Sequence, residues 1–218
     1  MSPEQFLDAV FRHRAIAIFR GQHQGRAAAA MEAAVGGGFR LLEFTVSTPG
    51  AYDLIAEFSR RPGLIVGAGT VLDLASLEAA VGAGAKFLVS PVLDPQIVGA
   101  ARELDVAILP GCYTPTELLS AHRAGSAAQK LFPAPGDIAT YLRAVLGPMP
   151  FLRVIPTNGV HGGNASEVLA AGAVGVGFTT SLFDLTEVEH RQTEKIFERA
   201  RSLLAGVKHF TNAVRPKA

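Results

Sequence analysis

The sequence predicts an α/β fold, a single-domain (β/α)8 TIM barrel with an N-terminal capping helix spanning residues 1–218. Three observations predict it. Eight short apolar segments alternate with alanine-rich helical ones from residue 15 onward. Helices before even-numbered strands end in glycine-bearing turns at Gly38, Gly84, Gly125 and Gly172, the mark of a two-strand repeat. Finally, neither GxGxxG nor a P-loop follows any strand, so an open, doubly wound nucleotide-binding sheet lacks its fingerprint.

The elements follow from local chemistry. Residues 2–13 read as a helix with Phe6, Leu7, Val10 and Phe11 on one side. Strands are expected at 15–19, 39–46, 64–68, 86–90 and 106–109, then at the segment centred on Lys130, at 151–155 and at 174–178. Helices are expected at 26–35, 51–59, 73–81, 94–104, 114–123, 137–146 and 164–171, with Asp73, Asp94 and Thr114 as N-caps. One long amphipathic helix, 187–204, closes the fold and leaves a polar tail.

Composition narrows the function. Half the chain is hydrophobic (49%) and 18% is charged, enough apolar residues for a packed core. The net charge is +1 with acids and bases interleaved, which leaves no nucleic-acid or membrane-surface footprint. The histidines are scattered without metal-ligand spacing, so no metal or other cofactor is expected. Cys112 is the single cysteine, and no apolar run approaches a membrane span. A soluble, cytoplasmic protein is expected.

The segment Gln129-Lys130-Leu131-Phe132-Pro133 carries the chemistry. In a strand, Ala128, Lys130 and Phe132 share one face. A lysine buried among apolar neighbours loses its proton more readily, and the neutral amine attacks carbonyl groups. Lowering its pKa from about 10.4 to about 7–8 disfavours the ammonium form by about 4 kcal/mol. In a barrel, chemistry sits at the C-terminal strand ends. Those ends offer Arg20, Glu43, Thr45, Ser47, Thr70, Ser90, Cys112, Thr157, Asn158, Thr179 and Thr180. Glu43, inside the second strand, would face Lys130 from the sixth and move protons for Schiff-base chemistry. Lys86 opens its strand and belongs to the structural end.

The motifs Glu43-Phe44-Thr45, Gly67-Ala68-Gly69-Thr70, Ser90-Pro91, Lys130-Leu131-Phe132-Pro133 and Pro156-Thr157-Asn158-Gly159 occur in this order. Together they resemble the class I 2-keto-3-deoxy-6-phosphogluconate / 4-hydroxy-2-oxoglutarate aldolase family, over roughly residues 15–183. The resemblance implies a homotrimer that cleaves a 2-keto-3-deoxy sugar acid to pyruvate and an aldehyde. It makes Lys130 the Schiff-base lysine and Glu43 the acid/base. Substrate contacts would come from Arg20, Thr70, Pro91, Phe132, Thr157, Asn158, Gly159, Thr179 and Thr180. Ser47 stands where the phosphogluconate enzymes carry an arginine, and Asn158 and Phe178 replace glycines of the phosphate loops. Either the aldehyde half lacks a phosphate, or Thr179, Thr180 and Arg20 hold one. Two other readings of the residues are an isomerase or epimerase using Glu43 as base, and a ligand-binding barrel without catalysis.

Overall fold

The structure is a computed structural model that describes residues 1–208; the polar tail from residue 209 lies outside the described residues. The chain runs α1 (Pro3–His13), β1 (Ala15–Phe19), α2 (Gln24–Gly36), β2 (Leu41–Thr45), α3 (Ala51–Ser59), β3 (Ile65–Gly69), α4 (Leu74–Gly82), β4 (Phe87–Val89) and α5 (Pro95–Glu103). It continues through β5 (Ala107–Leu109), β6 (Gly111–Cys112), α6 (Pro115–Ala124), β7 (Gln129–Leu131), α7 (Ile138–Leu146), β8 (Val154–Pro156), α8 (Ala165–Ala170), β9 (Val176–Phe178), α9 (Leu185–Glu189) and α10 (Thr193–Lys208).

Side-chain caps explain where the helices start. Ser2 and Thr114 form capping boxes with Gln5 and Glu117, and the Asp73, Asp94, Asp137 and Asp184 carboxylates accept first-turn N–H groups. The four repeat glycines all adopt positive φ, between 92° and 114°, the left-handed backbone that ends a helix without a Cβ penalty. The expected helix 187–204 is instead two helices. His190 closes α9, and Arg191 at φ 55° turns the chain before α10 starts at Thr193.

The expected closed eight-stranded barrel is corrected. The strands form two parallel sheets: a six-stranded half-barrel in the order β5-β4-β3-β2-β1-β9, and a three-stranded sheet, β6-β7-β8. Two prolines account for the division. Pro110 has no N–H to give a ladder and stands between β5, the expected fifth strand, which pairs with β4, and β6, a short strand beyond the expected one, which pairs with β7. β8 ends on Pro156, and its side of the molecule meets β9 through the isolated bridge Thr157–Gly177.

Two apolar layers flank the strands. One lies between strands and helices and takes alternate residues such as Phe19, Leu42, Phe44, Ala68, Leu131 and Phe178. The other fills the inner face with Ile16, Ile18, Leu41, Phe87, Leu109, Ala128 and Ile155, and α1 closes it with Phe6, Leu7 and Val10. The Phe6 and Phe87 rings lie 4.9 Å apart. By the same alternation Glu43, in step with Leu41, and Lys130, in step with Ala128, also point to the inner face.

Candidate active site

Glu43 is only 2% exposed and Lys130 6%. They come from different sheets, β2 in the half-barrel and β7 in the smaller sheet. Burial is the largest influence on both: it lifts the Glu43 carboxyl above its ordinary pKa and depresses the Lys130 amine. Each charge partly offsets the other's shift, so the two groups sense each other through space, without a salt bridge between them among the described residues. Burial favours a neutral amine beside a protonated carboxyl group. The Lys130 Nζ sits 4.9 Å from the centre of the Phe132 ring, so that half-buried ring forms one wall.

Arg20 follows β1 and is exposed; its Nη2 donates to Thr70 Oγ1 at 3.4 Å. Its positive charge lowers the pKa of both Glu43 and Lys130. Thr70 holds φ 61°, an uncommon conformation for a β-branched residue and a strained one. Thr157 is buried, and its amide donates to the Leu131 carbonyl, beside Lys130. Pro91 is half-buried after β4, its carbonyl packed where a side chain on Gly111 would stand.

The remaining candidates lie in the turns after β8 and β9. Asn158 (φ 65°) and Gly159 (φ 98°) form an exposed left-handed turn, where the Gly159 carbonyl accepts from Asn164 Nδ2 at 2.9 Å. The Thr179 carbonyl accepts from the amides of Leu182 and Phe183, and Thr180 is exposed. No hydrogen bond joins these four residues to Lys130 or Glu43 among the described residues. Lys86 is exposed at the start of β4, at the structural end.

Thr48 and Gly69 were not singled out from the sequence. Thr48 is 2% exposed; its hydroxyl accepts the Gly21 N–H at 3.2 Å and shares a 3.1 Å hydrogen bond with Thr45. That network ties the turn after Arg20 to the end of β2. The hydroxyls of Thr45 and Thr48, three residues apart where a strand turns, were the available signal. In the sequence Gly69 stands only inside the motif Gly67-Ala68-Gly69-Thr70, with no role of its own.

Among the described residues no cluster of histidine, cysteine, aspartate or glutamate could hold a metal ion, and no helix is long and apolar enough to cross a membrane. Cys112 is a free, buried thiol, its pKa pushed up to about 12 chiefly by burial.

A buried amine whose charged form burial disfavours, coupled electrostatically to a buried carboxyl group, is the kind of site by which a class I aldolase, a carbon–carbon lyase, activates a ketone. The KDPG and KHG aldolase family model matches residues 8–199, and the chain belongs to that family. It is 39% identical to a 2-dehydro-3-deoxy-phosphogluconate aldolase of Pseudomonas aeruginosa over 142 residues, 64% of each chain. It is 34% identical to the KHG/KDPG aldolase of Escherichia coli over 179 residues, 81% of this chain and 84% of that one. A solved structure of the KDPG aldolase of Legionella pneumophila, with pyruvate captured as a covalent carbinolamine intermediate, superposes with a TM-score of 0.81 at 26% identity. It covers 90% of this chain and 97% of the other.

Proposed function

We propose that this protein cleaves a 2-keto-3-deoxy sugar acid, or 4-hydroxy-2-oxoglutarate, to pyruvate and an aldehyde through an imine on Lys130. The observation that carries the reading is the buried Lys130 amine, its pKa depressed by burial, opposite the buried Glu43 carboxyl group. The names of the relatives support the substrate class, and the pyruvate adduct of the Legionella enzyme supports the covalent route.

The neutral amine attacks the keto carbon to give a carbinolamine. Glu43 donates a proton to the departing hydroxyl, which leaves as water, and the imine forms. Glu43, now a carboxylate, takes the proton of the C4 hydroxyl. The C3–C4 bond breaks, its electrons pass to the cationic imine as an enamine, and the aldehyde leaves. Protonation at C3 and addition of water release pyruvate and the free amine. Arg20, Thr70 and Thr157 hold the acid group of the substrate, and Phe132 and Pro91 pack beside the imine. Asn158, Gly159, Thr179 and Thr180 line the path of the aldehyde half.

Incubation with pyruvate and borohydride, followed by peptide mass spectrometry, tests this reading. A reduced pyruvyl adduct on the peptide containing Lys130, absent from Lys130→Ala, is expected. An unlabelled Lys130 on folded protein would sink the mechanism. We extend this to a single-domain, cytoplasmic protein, as composition and strand pattern suggest, and to a homotrimer, as the family resemblance implies. Sedimentation equilibrium should then give three times the 22.8 kDa chain mass, and a monomer would refute the assembly.

A further inference from the structure

β3 opens space on the inner face. In its register with β2, Glu43 stands opposite Gly67 and Thr45 opposite Gly69, and paired residues of a parallel sheet share a face. Neither glycine is among those with positive φ, so conformational freedom does not explain them. A glycine inside a strand is destabilising relative to alanine, and commonly marks a close approach by another group. Here the approaching groups are identifiable. A Cβ on Gly67 would fall 2.5 Å from the Phe87 ring. A Cβ on Gly69 would fall 2.0 Å from Glu43 Oε1, 2.7 Å from Cδ and 3.0 Å from Cγ.

The Glu43 side chain therefore leans along its strand and places its carboxyl group where residue 69 lacks a side chain. The next residue, Thr70, holds Arg20, whose charge acts on both Glu43 and Lys130. We propose that Gly69 is a positioning residue: the empty Cβ position seats the Glu43 carboxyl group within reach of the Lys130 adduct. The inference rests on the reading of Glu43 as the proton carrier. An alanine at 69 meets the far end of a flexible side chain rather than backbone, so it displaces the carboxyl group before it disturbs the sheet.

The test is a double-mutant cycle. Gly69→Ala should keep its circular dichroism spectrum and its KM, and lose about 10²-fold in kcat, the scale for a catalytic group misplaced by about 1 Å. Its pH–rate profile should shift in the limb that belongs to the carboxyl group. In the Glu43→Asp background, where the closest contact, the 2.0 Å approach of Oε1, is removed, the same change should cost less than about 3-fold. Equal losses in both backgrounds, or full activity of Gly69→Ala, overturn the proposal. If Gly69→Ala does not fold, Gly69→Ala/Glu43→Ala must recover thermal stability; failure to recover overturns it equally. Borohydride labelling of wild-type Lys130 separates this outcome from failure of the mechanism itself.

Discussion

Arg20 is the residue through which the two members of the buried pair can be tuned together. Its charge favours the deprotonated form of both Glu43 and Lys130. Replacing it with glutamine removes that influence, so both pKa values rise. The two limbs of the pH profile of kcat/KM should therefore move to higher pH in Arg20→Gln, in the same direction. Movement in opposite directions, or none, would show that Arg20 does not reach the pair. Substrate affinity should fall as well, by about 10-fold or more if the guanidinium binds the acid group, as expected for a lost charge-assisted hydrogen bond.

At the scale of elements, α6 leads into the strand that carries Lys130, and its start is held by one reciprocal cap. Thr114 Oγ1 accepts the Glu117 N–H, while the Glu117 carboxylate accepts from the amides of Tyr113 and Thr114. Thr114→Ala should destabilise the protein by about 1 kcal/mol, read as a lower urea midpoint at unchanged slope. Those hydrogen bonds hold Glu117 below its ordinary pKa, so the cap's contribution is present above the unfolded carboxylate pKa and is lost as pH falls through the folded one. The element signals that succeeded in the sequence were of this local kind. Ser2, Asp73, Asp94 and Thr114 cap helices as their residue types suggest, and strand 15–19 and helix 51–59 have the expected bounds. What the sequence concealed was set by partners. Phe151 is apolar but exposed, so β8 begins only at Val154. The strand expected at 106–109 stops before Pro110, and the two residues beyond it, Gly111 and Cys112, become a strand only through their pairing with β7. Lys130 and Glu43 were legible because a charge inside an apolar strand is conspicuous. Gly69 was not, because its contribution is space occupied by another residue.

For the whole molecule, the buried amine exchanges stability for reactivity. At neutral pH the unfolded lysine, with a pKa of about 10.4, holds its proton more firmly than Lys130 does in the fold. Burial of this group therefore weakens the fold below that pH, and the weakening fades as pH rises toward it. Lys130→Met should be inactive and melt above the wild type at pH 7, with the gap closing toward pH 10. A gap that widens with pH would contradict the depressed pKa. The division of the sheet at Pro110 carries a further consequence. The Lys130 amide is anchored on the Pro110 carbonyl, at the point where the ladder changes sheets, whereas Glu43 belongs to the larger sheet. Turnover thus gauges how the two sheets are aligned, whereas helix and strand content gauges only whether each is present. A variant that shifts one sheet against the other by an ångström will keep its helix and strand content and still be unable to carry a proton from one side of that seam to the other.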